Sequence, residues 1–365
     1  MKSICITLGT RPEAIKLAPV IQQFRKSPTF ETNVILTGQH REMVAQVMKL
    51  FQLKGDRDLK IMQPKQTLTD ITCRSLQGLE QCYSQIKPEL ILVQGDTTTA
   101  FAAALAAFYQ KIPVGHVEAG LRTDNIFNPY PEEANRRLIS QIAQLHFAPT
   151  FKAVENLERS DVSGKIYHTG NTVIDALLQV AQSKPECHIP NLNWDSYRVL
   201  LATVHRRENW GQPLKDILAG FCQILDRFSD TILLLPMHRN PTVREPIQAV
   251  LGEHPRVFLT EPLDYPQLVG AISKSYLLLT DSGGLQEEAP SLGKPVLVLR
   301  ETTERPEAIE AGTAKLIGTK PDKIFNATAE LLNDSIKYQQ MAGAINPFGD
   351  GRAAERILEV VQNYL

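Results

Sequence analysis

The chain has 365 residues, of which 43% are hydrophobic and 22% are charged. This composition is typical of a soluble globular protein, and the length exceeds that of one ordinary core, so we expect two domains. The 39 basic and 40 acidic residues leave a formal net charge of −1. This balance argues against nucleic acid or an anionic membrane as a partner, so any anion binding must be local.

The first apolar run ends at Gly9 and predicts a β-strand, because it is too short for a signal peptide. No stretch of about 18 apolar residues occurs, so we expect no transmembrane helix. The five cysteines are scattered and form no CxxC pair. They indicate reduced thiols in a cytoplasmic protein, and neither a zinc site nor a disulfide framework.

Apolar runs alternate with amphipathic stretches through the first half of the chain. The predicted strands are Ser3–Leu8, Asn33–Thr37, Leu90–Gln94, Val114–Val117 and Leu145–Ala148. The predicted helices between them are Ala14–Phe24, Arg41–Phe51, Thr69–Ile86, Ala100–Tyr109 and Glu132–Ile142. This alternation predicts right-handed βαβ crossovers, and therefore a mostly parallel sheet with helices on both faces.

The pattern restarts after Ser183–Asp195, a segment with two prolines and little periodicity that indicates a linker. The later predicted strands are Arg198–Thr203, Ile232–Pro236, Val257–Leu259, Tyr276–Thr280 and Val296–Leu299. We therefore predict an α/β protein with two Rossmann-like, doubly wound domains, residues 1–182 and 183–345, that face a central cleft. A final helix is expected over Asp350–Tyr364.

The turn Gly9–Glu13 joins the first strand to the first helix. A helix N-terminus with the Arg11 guanidinium makes a reasonable anion site, which Lys16 could join from the next turn. The turn is neither a dinucleotide-binding GxGxxG nor a P-loop. Without a glycine-rich dinucleotide turn, the YxxxK spacing of Tyr83 and Lys87 is a chance pattern, and we expect no NAD and no other cofactor. For Gly9–Glu13, an ordinary turn whose charges are solvated is an equally good interpretation.

Three acids fall within one short window. Asp96 and Glu118 each follow a predicted strand, and Glu132 opens a predicted helix. Carboxylates at the ends of parallel strands converge on one crevice, and several acids around a small substrate favour proton-transfer chemistry. The alternative is that Asp96 and Glu132 only cap helices and that Glu118 only pairs with Arg122.

In the second half, a buried strand runs into Ser282-Gly283-Gly284 and then a helix that carries Glu288. Adjacent glycines expose backbone N–H groups suited to a pyrophosphate, and Glu288 lies within reach of a ribose diol. Arg305, after the next strand, could reach the same diphosphate.

His205 and His238 each precede an arginine and follow a strand of the second sheet. Their separation and the lack of clustered partners argue against a metal site, so we expect no metal. Phosphate contact or charge stabilisation fits these histidines better.

Together these residues resemble the non-hydrolysing UDP-N-acetylglucosamine 2-epimerases over essentially the whole chain. The motifs that carry the resemblance are Gly9–Glu13, Gly38–Arg41, Gln94–Thr97, His116–Arg122, Pro131–Glu133, His205–Asn209, Asp281–Gly284 and Asn346–Gly351. The resemblance implies the fold of GT-B glycosyltransferases, a cytoplasmic homodimer, and a C-terminal helix (residues 346–365) that packs back on the first domain.

The resemblance also implies inversion of C2 in UDP-N-acetylglucosamine (UDP-GlcNAc) to give UDP-N-acetylmannosamine (UDP-ManNAc). UDP would leave to give 2-acetamidoglucal and then add back. The implied acid/base set is Asp96, Glu118 and Glu132, with no assignment of each acid to a face of the sugar. The implied UDP-binding set is Arg11, Lys16, His205, Ser282, Gly283, Gly284, Glu288 and Arg305.

Bacterial members of the family can also bind a second UDP-GlcNAc as an activator. The positions that match are Gln39, Glu42, Lys65, Glu133, Arg207 and His238. Glu42 and Lys65 differ in type from the glutamine and arginine expected there, and a carboxylate near a diphosphate is unfavourable unless it is paired. The residues leave four alternatives open: an epimerase for a related UDP-sugar such as UDP-2,3-diacetamido-glucuronate, a hydrolysing enzyme that releases free N-acetylmannosamine, a GT-B glycosyltransferase, and a nucleotide-sugar sensor without chemistry.

Overall fold

A computed structural model describes residues 1–365, which divide into two compact units. Unit 1 consists of Met1–Ala176 and Phe348–Leu365, and unit 2 of Leu177–Pro347. The first half of the chain therefore forms most of unit 1, and the last residues complete it. The chain passes from unit 1 to unit 2 inside a helix and returns at Phe348.

Unit 1 contains a sheet of seven parallel strands in the order β3-β2-β1-β4-β5-β6-β7. The strands are β1 Lys2–Leu8, β2 Phe30–Leu36, β3 Arg57–Asp58, β4 Leu90–Gln94, β5 Val114–Val117, β6 Leu145–Ala148 and β7 Lys165–His168. Strands β4, β5 and β6 are buried along their whole length. Since helices cover both faces, these strands are mostly apolar and do not alternate in polarity, although β5 and β6 each contain a buried histidine, His116 and His146.

Eight helices belong to unit 1 in whole or in part. They are α1 Arg11–Lys26, α2 Arg41–Leu50, α3 Leu68–Ile86, α4 Thr98–Tyr109, α5 Glu132–Ile142, α6 Phe151–Arg159, α7 Thr172–Gln182 and α15 Ala353–Tyr364. Helix α1 begins within three residues of β1, and two features favour this early start. Pro12 suits the first turn of a helix. The Glu13 carboxylate accepts hydrogen bonds from the N–H groups of Gly9 (3.0 Å) and Thr10 (2.6 Å). This short connection places Arg11 at the carboxyl end of the sheet.

Unit 2 contains six parallel strands in the order β10-β9-β8-β11-β12-β13. The strands are β8 Arg198–Thr203, β9 Thr231–Pro236, β10 Val257–Thr260, β11 Leu277–Thr280, β12 Val296–Val298 and β13 Ala314–Leu316. The remaining helices are α8 Gln212–Arg227, α9 Pro241–Leu251, α10 Tyr265–Lys274, α11 Gly283–Glu288, α12 Pro306–Glu310, α13 Pro321–Asn333 and α14 Ser335–Ala342. Short 3₁₀ turns cover Arg207–Asn209 and Ala289–Leu292.

Both sheets have the doubly wound topology that the sequence predicts, so the predicted α/β class with two Rossmann-like domains is confirmed. In each sheet the strand order reverses next to its first strand, between β1 and β4 in unit 1 and between β8 and β11 in unit 2. Crevices at the carboxyl ends of the strands at such a reversal are where open α/β sheets bind ligands. The topology therefore singles out the turns after β1, β4, β8 and β11.

The C-terminal helix packs within unit 1, where α15 contacts α1. It begins at Ala353 and not at Asp350 as predicted, because Gly349 and Gly351 have φ values of +140° and +83° that a helix does not allow. The buried Asp175 carboxylate of α7 accepts hydrogen bonds from the N–H groups of Ala353 (3.2 Å) and Ala354 (2.8 Å). Asp175 therefore holds the start of α15 from another helix.

No helix in the structure is both long enough and apolar enough to cross a membrane.

We expect Asp175→Ala to lower the free energy of unfolding by about 1–2 kcal/mol, since two N–H groups of α15 lose their acceptor. Asp175→Asn keeps one acceptor oxygen and should cost less. Thermal unfolding of both variants checks this expectation. Glu355→Gln, which removes an exposed carboxylate from the same helix, is the control. Equal melting temperatures for Asp175→Ala and the control would contradict the assignment.

The same residue predicts a pH dependence. Burial raises the pKa of Asp175 from 3.8 to about 6, against the opposing effect of the two N–H donors. The folded protein therefore holds a proton that the unfolded chain releases. The stability that this group contributes is complete below about pH 4 and is lost as the pH rises through about 6, with a limit of about 3 kcal/mol. Between these pH values, the stability of the wild type relative to Asp175→Asn should fall, and a constant difference would refute the shift.

Candidate active site

Glu118 lies directly after β5, and its carboxylate is the most heavily bonded group in unit 1. Lys16 donates to both of its oxygens at 2.6 and 2.7 Å, Asn171 donates to Oε1 at 2.9 Å, and Gln94 donates to Oε2. The backbone φ of Glu118 is +62°, a conformation that costs a non-glycine residue roughly 1–3 kcal/mol. An ammonium and two amides that donate to one carboxylate stabilise its ionised form.

Asp96 follows β4 and the left-handed Gly95 (φ +70°). Its carboxylate forms an ion pair with Arg136 of α5, and its carbonyl accepts a hydrogen bond from Asn135 at 2.9 Å. Burial raises the pKa of Asp96 above its ordinary value, although Arg136 opposes the shift. Asp96 therefore holds a proton more readily than an ordinary aspartate does. The donors around Glu118 act in the opposite direction, because they stabilise its carboxylate.

Glu132 is the first residue of α5, is partly exposed, and has neither a hydrogen bond nor an ion pair. Its neighbour Glu133 is fully buried and accepts from Thr123 N–H at 3.0 Å, from Arg136 at 3.2 Å and from Arg137 at 2.6 Å. Two consecutive glutamates thus differ in their environments. No hydrogen bond or ion pair holds the Glu132 side chain, whereas Glu133 holds the loop and the helix together.

The local alternatives for Asp96 and Glu118 are wrong. Glu118 does not pair with Arg122, which donates to the Leu121 carbonyl at 2.9 Å and to Ser140 Oγ at 3.1 Å. The N-cap of α4 is Thr97, whose Oγ1 accepts from Ala100 N–H at 3.0 Å, so Asp96 has no capping role there. The partners of both acids come from distant parts of the chain.

Arg11 and Lys16 lie on the same helix but have different partners. The Arg11 side chain is partly buried and forms no hydrogen bond or ion pair in the structure. The Lys16 ammonium contacts the Glu118 carboxylate, so it lies beside an acid and not with Arg11. Of the two cations, Arg11 is the one that forms no ion pair within the chain.

In unit 2, His205 follows β8 and Asp281 follows β11. The Nδ1 atom of His205 lies 2.8 Å from Asp281 Oδ1, and Asp281 Oδ2 accepts from the N–H groups of His205 and Arg206 at 2.8 Å. Burial acts to raise the pKa of Asp281, but the hydrogen bonds and charge of His205 outweigh it and lower the pKa. An ionised Asp281 orients the half-exposed imidazole so that Nε2 is the nitrogen left for a ligand.

The turn Ser282-Gly283-Gly284 opens α11 beside two guanidinium groups. A Cβ atom on Gly283 would lie 3.3 Å from Arg305 Cζ and 3.5 Å from a nitrogen of Arg206, so both guanidinium groups lie close to the turn. Arg305 also pairs with buried Glu287 at 2.7 Å. Glu288 is buried and accepts from the Tyr265 hydroxyl at 2.9 Å. Two cations beside a glycine turn can bind a diphosphate.

The positions proposed for an activator are spread over both units. Gln39 accepts from Thr99 Oγ1 at 2.5 Å, Glu42 and Lys65 are exposed without ion pairs, and Glu133 is buried as described. In unit 2, the His238 ring stacks on His205 with 6.3 Å between ring centroids, and Arg207 lies 6.0 Å from the Trp210 ring. No hydrogen bond or ion pair joins any two of these six residues.

Sequence reasoning passed over several residues that build the site. Asn171 and Gln94 hold Glu118, Arg136 pairs with Asp96, and Asp281 orients His205. Glu13 links two turns, since its other oxygen accepts from Thr97 Oγ1 at 2.7 Å. A strand-end position marks Asp281 and Gln94 in the sequence. Nothing in the sequence marks Asn171, which reaches Glu118 only through the fold.

The sequence matches a known protein family over most of its length. The family model described as UDP-N-acetylglucosamine 2-epimerase matches residues 22–362. A UDP-N-acetylglucosamine 2-epimerase of Escherichia coli strain K12 is 49% identical over 370 residues, covering 99% of this chain and 98% of that protein.

Solved structures agree with the sequence relatives. The Neisseria meningitidis UDP-GlcNAc 2-epimerase bound to UDP-GlcNAc matches with a TM-score of 0.89 and 47% identity, covering 100% of both chains. The Methanocaldococcus jannaschii enzyme in complex with UDP-GlcNAc and UDP matches with a TM-score of 0.79 and 33% identity, covering 99% of both chains. The chain therefore belongs to the UDP-N-acetylglucosamine 2-epimerase family of isomerases, as its sequence motifs indicate.

Proposed function

We propose that the chain interconverts UDP-GlcNAc and UDP-ManNAc by inverting C2 of the sugar. The observation that carries the proposal is the contrast between Asp96 and Glu118 at the carboxyl end of one sheet. Burial favours the protonated form of Asp96, and donors from three elements favour the ionised form of Glu118. An acid and a base require two carboxyl groups whose surroundings shift their proton affinities in opposite directions.

The C2 hydrogen of UDP-GlcNAc is not next to a carbonyl, so its removal needs help from C1. In the proposed reaction the C1–O bond breaks, and its electron pair leaves with the β-phosphate of UDP. A carboxylate takes the C2 proton as the C1=C2 bond of 2-acetamidoglucal forms. An acid then donates a proton to the other face of C2, and the β-phosphate oxygen adds back to C1. Atoms and charge balance without any cofactor.

Residues of unit 1 supply the proton transfers in this proposal. Glu118, held as a carboxylate, is suited to accept the C2 proton, and Asp96 is suited to donate one. Glu132, which has no partner to release, is the third candidate for proton transfer. In the reverse direction the roles of acid and base exchange, so the assignment of each acid to a face stays open.

Residues of unit 2 bind UDP in this proposal. The N–H groups of Ser282, Gly283 and Gly284, with Arg305, would hold the diphosphate, and Glu288 would accept from the ribose hydroxyls. His205, oriented by Asp281, would donate to the departing β-phosphate when it is protonated. Arg11, which the resemblance also implies as a UDP ligand, lies at the start of α1 in unit 1. The relatives whose structures contain UDP-GlcNAc and UDP support a nucleotide-sugar ligand.

Proton NMR of the purified protein with UDP-GlcNAc in D₂O tests the reaction. We expect UDP-ManNAc to appear and deuterium to enter C2 of both sugars. Asp96→Asn and Glu118→Gln should each slow this exchange about 100-fold or more, since each removes a proton-transfer group. Asp56→Asn, which changes an exposed aspartate of unit 1, is the control and should keep the wild-type rate.

The same spectra separate the alternatives. UDP with free N-acetylmannosamine would indicate a hydrolysing enzyme. No change in the wild-type sample would reject the proposed substrate and favour a related UDP-sugar or a glycosyltransferase that requires an acceptor. Full activity of Asp96→Asn would remove that residue from the mechanism.

A binding experiment tests the assignment of unit 2. Arg305→Gln should weaken UDP binding about tenfold or more, because a charge-assisted contact to phosphate contributes about 1.5–3 kcal/mol. Isothermal titration with UDP measures the change, and Lys315→Gln, which removes an exposed cation of unit 2, is the control. Arg305→Lys keeps a positive charge opposite Glu287, so its affinity for UDP should lie between those of the wild type and Arg305→Gln. Equal affinity of wild type and Arg305→Gln would exclude Arg305 from the site.

A further inference from the structure

A second cluster of cations lies in unit 1, apart from the carboxylates that the proposed reaction uses. It lines a cavity of about 510 Å³ between the loop that follows β5, helix α5 and the end of helix α6. The polar residues that matter to its chemistry are Arg122, Asp124, Arg137, Asn156, Arg159 and Ser160. We call this cavity the arginine pocket. Its volume is in the range of small-molecule binding sites, about 300–1,000 Å³.

The charges around the arginine pocket are not balanced. Three guanidinium groups line it, against the single carboxylate of Asp124. Asp124 is exposed and forms no ion pair. Arg137 pairs with Glu133, which also pairs with Arg136, and Arg159 has only a 3.7 Å contact with exposed Glu155. The lining therefore carries more positive charge than its own carboxylates neutralise.

Arg122 is the clearest case of an uncompensated cation. Its guanidinium is partly buried and donates only to neutral oxygens, those of Leu121 and Ser140. Burial, together with the neighbouring Arg137 and Arg136, lowers the pKa of Arg122 to about 10, although Glu133 opposes the shift. Arg122 makes no hydrogen bond to a carboxylate, so an anion that enters the pocket would be its first charged acceptor.

The remaining polar groups indicate which anion would fit. Asn156 already donates to the Gly120 carbonyl at 3.0 Å, and Ser160 Oγ already donates to the Asn156 carbonyl at 2.6 Å. The donors left for a ligand are therefore mainly guanidinium N–H groups. Guanidinium groups bind phosphate oxygens in a bidentate manner, and three of them match a group with two or more negative charges.

We propose that the arginine pocket is an anion-binding site for a phosphate or diphosphate group. The residues of this site are not among those that the proposed epimerase reaction uses, so the inference goes beyond that reaction. The phosphate could be a free anion or part of a nucleotide, since the same N–H donors would recognise both.

Isothermal titration of the full-length protein with inorganic pyrophosphate tests the proposal. The titration is run with saturating UDP, so that the nucleotide site proposed in unit 2 is already occupied. We expect binding to one site, with at least tenfold weaker affinity in Arg122→Gln/Arg159→Gln, which corresponds to about 1.4 kcal/mol. Lys26→Gln/Lys165→Gln removes the same charge from unit 1 outside the pocket and should leave the affinity unchanged.

The outcomes are distinct. Absence of pyrophosphate binding at millimolar concentration, or equal weakening by both double variants, would overturn the proposal. Arg159→Gln alone changes a mostly exposed side chain, so it keeps the test possible if the double variant does not fold. A parallel titration with ADP separates the sources: binding of both ligands assigns the diphosphate group, and binding of pyrophosphate alone assigns a free anion. Because binding and not turnover is measured, failure here leaves the epimerase proposal standing.

Discussion

The carboxylate of Glu118 is the contact on which the arrangement of unit 1 depends. A buried carboxylate is tolerated only when hydrogen bonds and an opposite charge replace water. Glu118 meets that condition with Lys16 from α1, Gln94 from β4 and Asn171 from the segment before α7. These donors fix three separate parts of the chain around one acid. Its left-handed backbone is maintained because the surrounding contacts determine it more strongly than its local preference.

Unit 2 also has an aspartate where the strand order of its sheet reverses, but this aspartate has different surroundings. Asp281 lies where its sheet reverses, as Asp96 does in unit 1, but its hydrogen bonds lower its pKa and keep it ionised. It therefore orients His205 and does not itself exchange protons readily. The glycine turn that follows leaves room for the guanidinium groups of Arg206 and Arg305. Unit 1 thus carries Asp96 and Glu118 at the carboxyl ends of its strands, and unit 2 carries the Asp281–His205 pair beside Arg206 and Arg305.

Much of this plan is readable from the sequence, for a physical reason. Strands covered on both faces are mostly apolar, so β4, β5 and β6 are predicted with their observed bounds, and the acids that follow β4 and β5 are placed at strand ends. The edge strands β3, β7 and β13 were not predicted, because they are short and partly exposed. The sequence also does not show which distant residues the fold brings together. Asn171 lies 53 residues from Glu118 along the chain, and Lys16 lies 102 residues from it.

The return of the chain to unit 1 has a consequence for synthesis on the ribosome. Helix α15 packs on α1, yet all of unit 2 is translated between them. Domains generally fold in the order in which they leave the ribosome, but here the first unit lacks one of its helices until the second has emerged. The apolar surface of α1 that α15 covers is therefore exposed to solvent, or to a chaperone, throughout the translation of unit 2.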